Sequence, residues 1–255
     1  MSGKRLKAAL VTGAAKRIGR AIAKDLADNG FSVAVHANGS LAEADRFVAE
    51  LRQSGARAIV VQGDLTKINE TTSLIEKASA ELGSLDLLVN NASIFAEDSL
   101  RKFDAAIWDE HFAVHLRAPS ILAAKFAEQL PEDAHGLIVN IIDQRVWALR
   151  PSFYSYTLSK SALWTATQTM AQALAPRIRV NAIGPGPSMP SERQLQEDFQ
   201  AQVAALILKR GPELEEFGRT IRFLFETPSI TGQMIALDGG QHLAWQTPDV
   251  LEIKE

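Results

Sequence analysis

What most constrains this 255-residue chain is an alternation. Short runs of mostly apolar, β-branched residues take turns with stretches of helical periodicity. "AALVTG" reads as a strand and "RIGRAIAKDLADNG" as an amphipathic helix ending at Gly30. "FSVAVHA" is the next strand, followed by a helix in "SLAEADRFVAELRQSG" that closes at Gly55. "RAIVVQGD" and "INETTSLIEKASAELG" repeat the pair. "LDLLVNNA" and "GLIVNIID" are two more strands, with a long helix over 104–130 between them. A helix over about 153–175 and the strands "RIRVNAIGPG" and "GQMIALDGG" complete the series. Strands of this kind belong to a parallel sheet covered on both faces. Right-handed crossovers make such a sheet doubly wound. The expectation is an α/β chain built on seven parallel strands with helices on both faces.

No Pro/Ser/Gly linker divides the chain and no fixed period repeats, so one domain is expected over 1–255. The segment 186–212 interrupts the alternation. It starts rich in Pro and Ser, turns weakly helical, and follows a strand's carboxyl end, where ligands bind. It reads as a substrate-side flap, although a plain surface helix would look similar. A net charge of −3 offers no basic field for nucleic acid. The absence of cysteine excludes disulfides, thiolate zinc sites and cysteine nucleophiles. No apolar run is long enough to span a membrane. The start "MSGKRLKAALVTG" is basic and then apolar, but it runs into a glycine turn too soon for a signal peptide. A cytoplasmic protein is expected, with no metal site, no nucleic-acid partner and no membrane partner.

"VTGAAKRIGRAIA" joins the first strand to the first helix. Gly13 and Gly19 permit a tight turn, and the helix N-terminus behind it suits a pyrophosphate, as in a Rossmann-like dinucleotide site. The spacing is TGxxxxxG rather than GxGxxG, and a plain β–α turn would contain the same glycines. Strand two ends in "VHANGS", with no carboxylate before Glu43. An acidic residue there would pair with the ribose hydroxyls of NAD and repel a 2′-phosphate. Its absence, with Lys16 and Arg17 in the first turn, favours NADPH. Ser40 and Glu43 form a candidate capping box.

The only two tyrosines lie in "YSYTLSK". Residues four apart on a helix share a face. Tyr156 and Lys160 meet that condition, and Tyr154 and Lys160 do not. A nearby ammonium lowers a phenol's pKa from about 10, so Tyr156 is expected to be the acid and Tyr154 to pack or wall a pocket. Asp143 ends the fifth strand, at the edge where ligands bind.

Together the motifs resemble the short-chain dehydrogenase/reductase family. They are "TGAAKRIG", "GDL" at 63–65, "NNAS" at 90–93, "YTLSK" at 156–160, "NAIGPG" at 181–186 and "LDGG" at 237–240. Within that family the chain is similar to pteridine reductases, including dihydromonapterin and dihydrofolate reductases of this fold. Arg17 replaces the usual middle glycine, Phe95 follows "NNAS", and Asp143 stands thirteen residues before Tyr156 in place of a serine.

The resemblance implies cofactor contacts from Gly13, Arg17 and Ile18 in the first turn. It places His36, Asn38 and Ser40 toward the 2′-phosphate, and Asp64 and Leu65 beside the adenine. Asn91, Ala92 and Ser93 should line the cofactor path. Gly186 and Ser188 should reach the nicotinamide or pyrophosphate. It implies catalysis by Asp143, Tyr156 and Lys160, with Lys160 and Tyr156 also touching cofactor. Substrate would meet Arg17, Ser93, Phe95, Asp143 and Tyr156, with Phe95 stacking on a pterin. His115 stands where many members have a water-positioning asparagine, and a relay role or a satisfied core histidine fit it equally. Trp147 is expected at the pocket border or in the core. Family precedent implies a homotetramer built through the 104–130 and 153–175 helices. Trp245 and the tail "AWQTPDVLEIKE" run past the usual family end and are expected to reach a neighbouring subunit.

An ionised aspartate cannot donate to a substrate carbonyl and would repel an alkoxide. The expected reaction is therefore NADPH-dependent hydride transfer to a pterin-like C=N bond. The alternatives are a 3-oxoacyl-type carbonyl reductase of the same family and an inert NADPH-binding sensor.

Overall fold

A strand that is apolar on both sides must bury both. The computed structural model describes residues 7–190 and 194–245 and shows how this is achieved. The strands are β1 (Lys7–Val11), β2 (Phe31–Ala37), β3 (Ala58–Gln62), β4 (Leu87–Asn90), β5 (Gly136–Ile141), β6 (Ile178–Pro185) and β7 (Met234–Leu237). They form one sheet in the order β3-β2-β1-β4-β5-β6-β7, parallel throughout. The helices are α1 (Arg17–Asp28), α2 (Leu41–Gln53), α3 (Ile68–Leu82), α4 (Ala105–Phe112), α5 (Ala118–Gln129), α6 (Tyr154–Leu174), α7 (Gln196–Ala204) and α8 (Leu214–Glu226).

Alternate residues of each strand enter different cores, as the two-residue period requires. Ala9 and Val11 of β1 join Ile22 and Leu26 of α1, Phe47 of α2 and Phe217 of α8. Ala8 and Leu10 join Leu74 of α3 and Leu122 and Phe126 of α5 on the other face. The winding reverses between β1 and β4. That opens a crevice at the carboxyl ends of these strands, the usual ligand position in such sheets.

Two local expectations need correction. The helix expected over 104–130 is three pieces, with a π-helical turn at Ala113–Arg117 between α4 and α5. Pro119 has no N–H to give the carbonyl of residue 115, so the α-helical ladder cannot run unbroken through this point. The capping box of Ser40 and Glu43 does not form. Ser40 stands at the N-cap of α2 without a side-chain bond. Glu43 instead pairs with Lys16 at 2.9 Å. Both side chains of that pair are substantially exposed, so it contributes little to stability. The flap expected over 186–212 contains α7, while 191–193 lie outside the described residues, as does the tail after Trp245.

Candidate active site

The crevice is held open by a few polar side chains with fixed partners. Gly13 has φ +61°, a left-handed conformation that glycine adopts without penalty. Thr12 Oγ1 accepts the Asn91 and Ala92 N–H groups at 2.9 and 3.0 Å. Asn91 Nδ2 donates to the Thr12 and Gly13 carbonyls at 2.8 and 3.2 Å. These bonds pin β4 to the first turn across the switch point. The amide of Asn91 therefore holds the turn, and the residue stays partly exposed beside Ala92 and Ser93. Ile18 packs against the core. Lys16, at the N-cap of α1, makes no side-chain cap bond.

His36 also departs from expectation. The ring is 2% exposed. Its Nδ1 accepts the Gly13 N–H at 3.1 Å and its Nε2 lies 2.9 Å from the Gly63 carbonyl, to which it donates. Neither nitrogen remains for a 2′-phosphate. The side chain braces the glycine turn instead. Burial lowers its pKa to about 4, against the opposing Gly63 carbonyl. The unfolded chain takes up this proton near pH 6.5 and the folded chain only near 4. Stability from this group is full above about 6.5 and falls as pH drops through that window. From pH 7 to 5 the loss should be about 2 kcal/mol. Denaturant unfolding at both pH values checks this, with His36→Asn as the non-titrating control. An equal acid slope in both proteins would overturn it.

Around the crevice's outer end, Asn38 is exposed and Ser40 half-buried, and β2 ends without a carboxylate. Leu65 is buried, and Asp64 accepts from the Thr66 N–H and hydroxyl at 2.9 and 2.7 Å. Those bonds hold its carboxyl below the usual range. On the flap side, Gly186 lies so close to Asp238 that a Cβ would fall 2.6 Å from its Cα. Ser188 follows, half-buried. Arg17 reaches across to this segment, donating to the Pro190 carbonyl at 3.0 Å and to Met189 at 3.5 Å.

The sheet and α6 meet at the reactive centre. Tyr156 is 6% exposed and its hydroxyl donates to Asp143 Oδ2 at 3.0 Å. Lys160, one turn along the same buried face, donates to the Ile141 carbonyl at 2.9 Å. Burial brings Lys160 down to about 8, against the attraction of Asp143. The expectation that Lys160 lowers the Tyr156 pKa is not met. Burial pushes the phenol well above its usual value, and the Asp143 charge and hydrogen bond push the same way. Arg145 and Ser93 oppose this only in part. The protein thus holds Tyr156 as a protonated phenol. Tyr154 faces elsewhere, its ring 6.3 Å from Trp108, as packing requires.

A ladder of two histidines supports the loop after β4. His115 Nε2 accepts the Ile94 N–H at 3.1 Å, so Nδ1 carries the proton and points at Ser159 Oγ, 2.8 Å away. Ser93 Oγ lies 3.0 Å from the same Nε2. One turn earlier, His111 repeats the pattern with the Ala96 N–H at 3.3 Å and Ser155 Oγ at 2.6 Å. Burial holds both rings below the usual histidine pKa, and the charge of Lys160 adds to it. His115 is therefore a neutral, fully bonded histidine that fixes Ser93 and Ile94. His111 escaped the sequence reading. Its signal was the matched spacing of four between the two histidines and between Ser155 and Ser159.

Phe95 stacks on Phe153 with centroids 4.3 Å apart, and meets the Tyr156 ring edge-on at 4.8 Å. Phe153 and Arg145 are further residues here that sequence reasoning missed. Arg145 stands two residues past Asp143 and donates its backbone N–H to Asp143 Oδ1 at 2.8 Å. Trp147 is exposed at the rim, its ring 5.1 Å from His242. Among the described residues no three His, Asp or Glu side chains gather as a metal site, and no helix is long and apolar enough to cross a membrane.

Known proteins resemble this chain in sequence and fold. A 3-oxoacyl-[acyl-carrier-protein] reductase FabG of Staphylococcus epidermidis is 33% identical over 242 residues, covering 93% of this chain and 99% of that protein. The crystal structure of FolM alternative dihydrofolate reductase 1 from Brucella canis, complexed with NADP, superposes with a TM-score of 0.94. It is 60% identical and covers 96% of this chain and 97% of its own. The Brucella suis counterpart, also with NADP, gives 0.94 at 61% identity, covering 96% and 98%. The model of the short chain dehydrogenase family matches residues 7–198. With the seven parallel strands, the glycine turn at the switch point and the paired Tyr156 and Lys160 on α6, that match places the chain in the short chain dehydrogenase family.

Proposed function

We propose that this chain is an NADPH-dependent reductase of a pterin-like C=N bond, of the dihydropterin or dihydrofolate class. The hydrogen bond from Tyr156 to Asp143 carries the reading. A carboxylate accepts the phenol proton where a serine would have offered a second donor. Such a pair suits protonation of a ring nitrogen better than stabilisation of an alkoxide. The two Brucella neighbours support the same class.

The residues fit the cofactor. The first turn leaves the N-terminus of α1 without a side-chain cap, and the open end of β2 carries no acid to repel a 2′-phosphate. Gly13, Ala92, Ser93, Gly186 and Ser188 would border it, with Asn38 and Ser40 at the ribose-phosphate end, and Asp64 and Leu65 by the adenine. When bound, the nicotinamide supplies the hydride. Tyr156 holds the proton for the substrate nitrogen. Arg145, whose guanidinium carbon lies 5.7 Å from the Tyr156 ring centroid, opposes the cost of its loss beside Asp143. Phe95 offers a ring face for the flat substrate, for about 0.5–1.5 kcal/mol beyond burial. Assembly as a cytoplasmic homotetramer through α4, α5 and α6 belongs to the same reading.

The likeness to FabG favours a second reading, reduction of a 3-oxoacyl thioester. NADPH oxidation over a panel of dihydropterins, dihydrofolate and acetoacetyl thioesters separates the two. Turnover is expected with the heterocycles and NADPH, and weakly with NADH. Thioester turnover alone would establish the rival.

A further inference from the structure

Two arginines reach this site, and the fold treats them differently. Arg17 already has oxygen acceptors, the carbonyls of Met189 and Pro190. Arg145 has none. It lies in the short 3-10 turn Gln144–Val146 after β5. Its guanidinium carbon stands 5.1 Å from the Phe153 ring centroid, 5.6 Å from Phe95 and 5.7 Å from Tyr156. Nε and Nη1 are closed off from water and meet no acceptor among the described residues. Aromatic faces attract the cation but accept its hydrogen bonds poorly. Two of the three nitrogens of a donor-only group are thus held, desolvated and without an acceptor, beside the proton donor and the ring expected to stack on substrate.

We infer that Arg145 is a specificity-determining residue that binds an exocyclic oxygen of a planar heterocyclic substrate and so selects oxo-heterocycles over their amino-substituted counterparts. This rests on the reading of the site as a pterin-class reductase. A guanidinium only donates, so it matches a ring carbonyl and leaves an amino group facing N–H with N–H. Its contacts with Phe95 and Phe153 place the cation against the two rings beside which a flat ligand would lie. Asp143 cannot take this role, because it only accepts. The resemblance places Arg17 against both cofactor and substrate; with Arg17 engaged by the flap, the substrate oxygen falls to Arg145.

The test compares binding of pterin (2-amino-4-oxopteridine) and 2,4-diaminopteridine to the protein saturated with NADP⁺, by fluorescence quenching. Wild type, Arg145→Lys and Arg145→Met are measured, with NADP⁺ affinity as the check of folding. Arg145→Met should lower the ratio of pterin to diamino affinity at least tenfold, mainly through weaker pterin binding. Arg145→Lys should keep part of the preference, and serves alone if the Met variant does not fold. Equal weakening of both ligands, or an unchanged ratio, would overturn the inference and leave the pterin reading standing. A dependence on Arg145 seen only with a carboxylate-tailed folate would overturn it as well, by assigning the arginine to the tail. If wild type binds neither pteridine, the pterin reading fails, and the inference falls with it.

Discussion

Tyr156→Phe should reduce turnover by about 10²–10⁴-fold, the usual worth of a positioned acid, while cofactor affinity changes little. The substitution removes one oxygen and keeps the ring, so the edge contact with Phe95 at 4.8 Å survives. What is lost is the proton and its bond to Asp143. Because burial and Asp143 both hold the phenol protonated, wild-type enzyme should keep its acid form through the neutral range. The variant should show a low rate at every pH in that range. Steady-state NADPH oxidation, with NADP⁺ affinity measured in parallel, checks this. Full turnover by the phenylalanine variant would remove Tyr156 from the chemistry, and no turnover by wild type would favour a binding protein.

Asp143→Ser should give the next largest effect, and in opposite directions for two substrates. Dihydropterin turnover should fall by about 10²-fold, within the range for loss of one acid–base partner. Ketone or 3-oxoacyl turnover should rise from background, since a hydroxyl can donate to a carbonyl oxygen and carries no charge to repel an alkoxide. The change also removes the carboxylate that pushes the Tyr156 pKa upward. The high-pH limb of the rate profile should therefore move to lower pH. Unchanged pterin turnover would show that Asp143 is not part of the proton path.

Much of the frame was legible because it depends on local patterns. Apolar runs broken by glycine turns gave the seven strands in their observed order along the chain. The spacing of Tyr156 and Lys160 put both on one buried helix face, where the structure has them. Asp143 was visible as a carboxylate at the end of β5. Other residues were recognisable by type but not by partner. His36 looked like a phosphate neighbour until Gly13 and Gly63 were seen to take both its nitrogens. His115 could be weighed but not decided, because Ser159 and Ile94 come to it from α6 and from the loop after β4.

By itself, then, the sequence determined the α/β sheet and the helix face shared by Tyr156 and Lys160. Each follows from periodicity and spacing over a few residues. Only the tertiary structure decided the charge state of the phenol, the engagement of Arg17 with the flap and the isolation of Arg145 among aromatic rings. Those are properties of burial and of neighbours far apart in the chain. A pKa or an unpaired donor is set by everything within a few ångströms, and spacing along one segment does not contain that information.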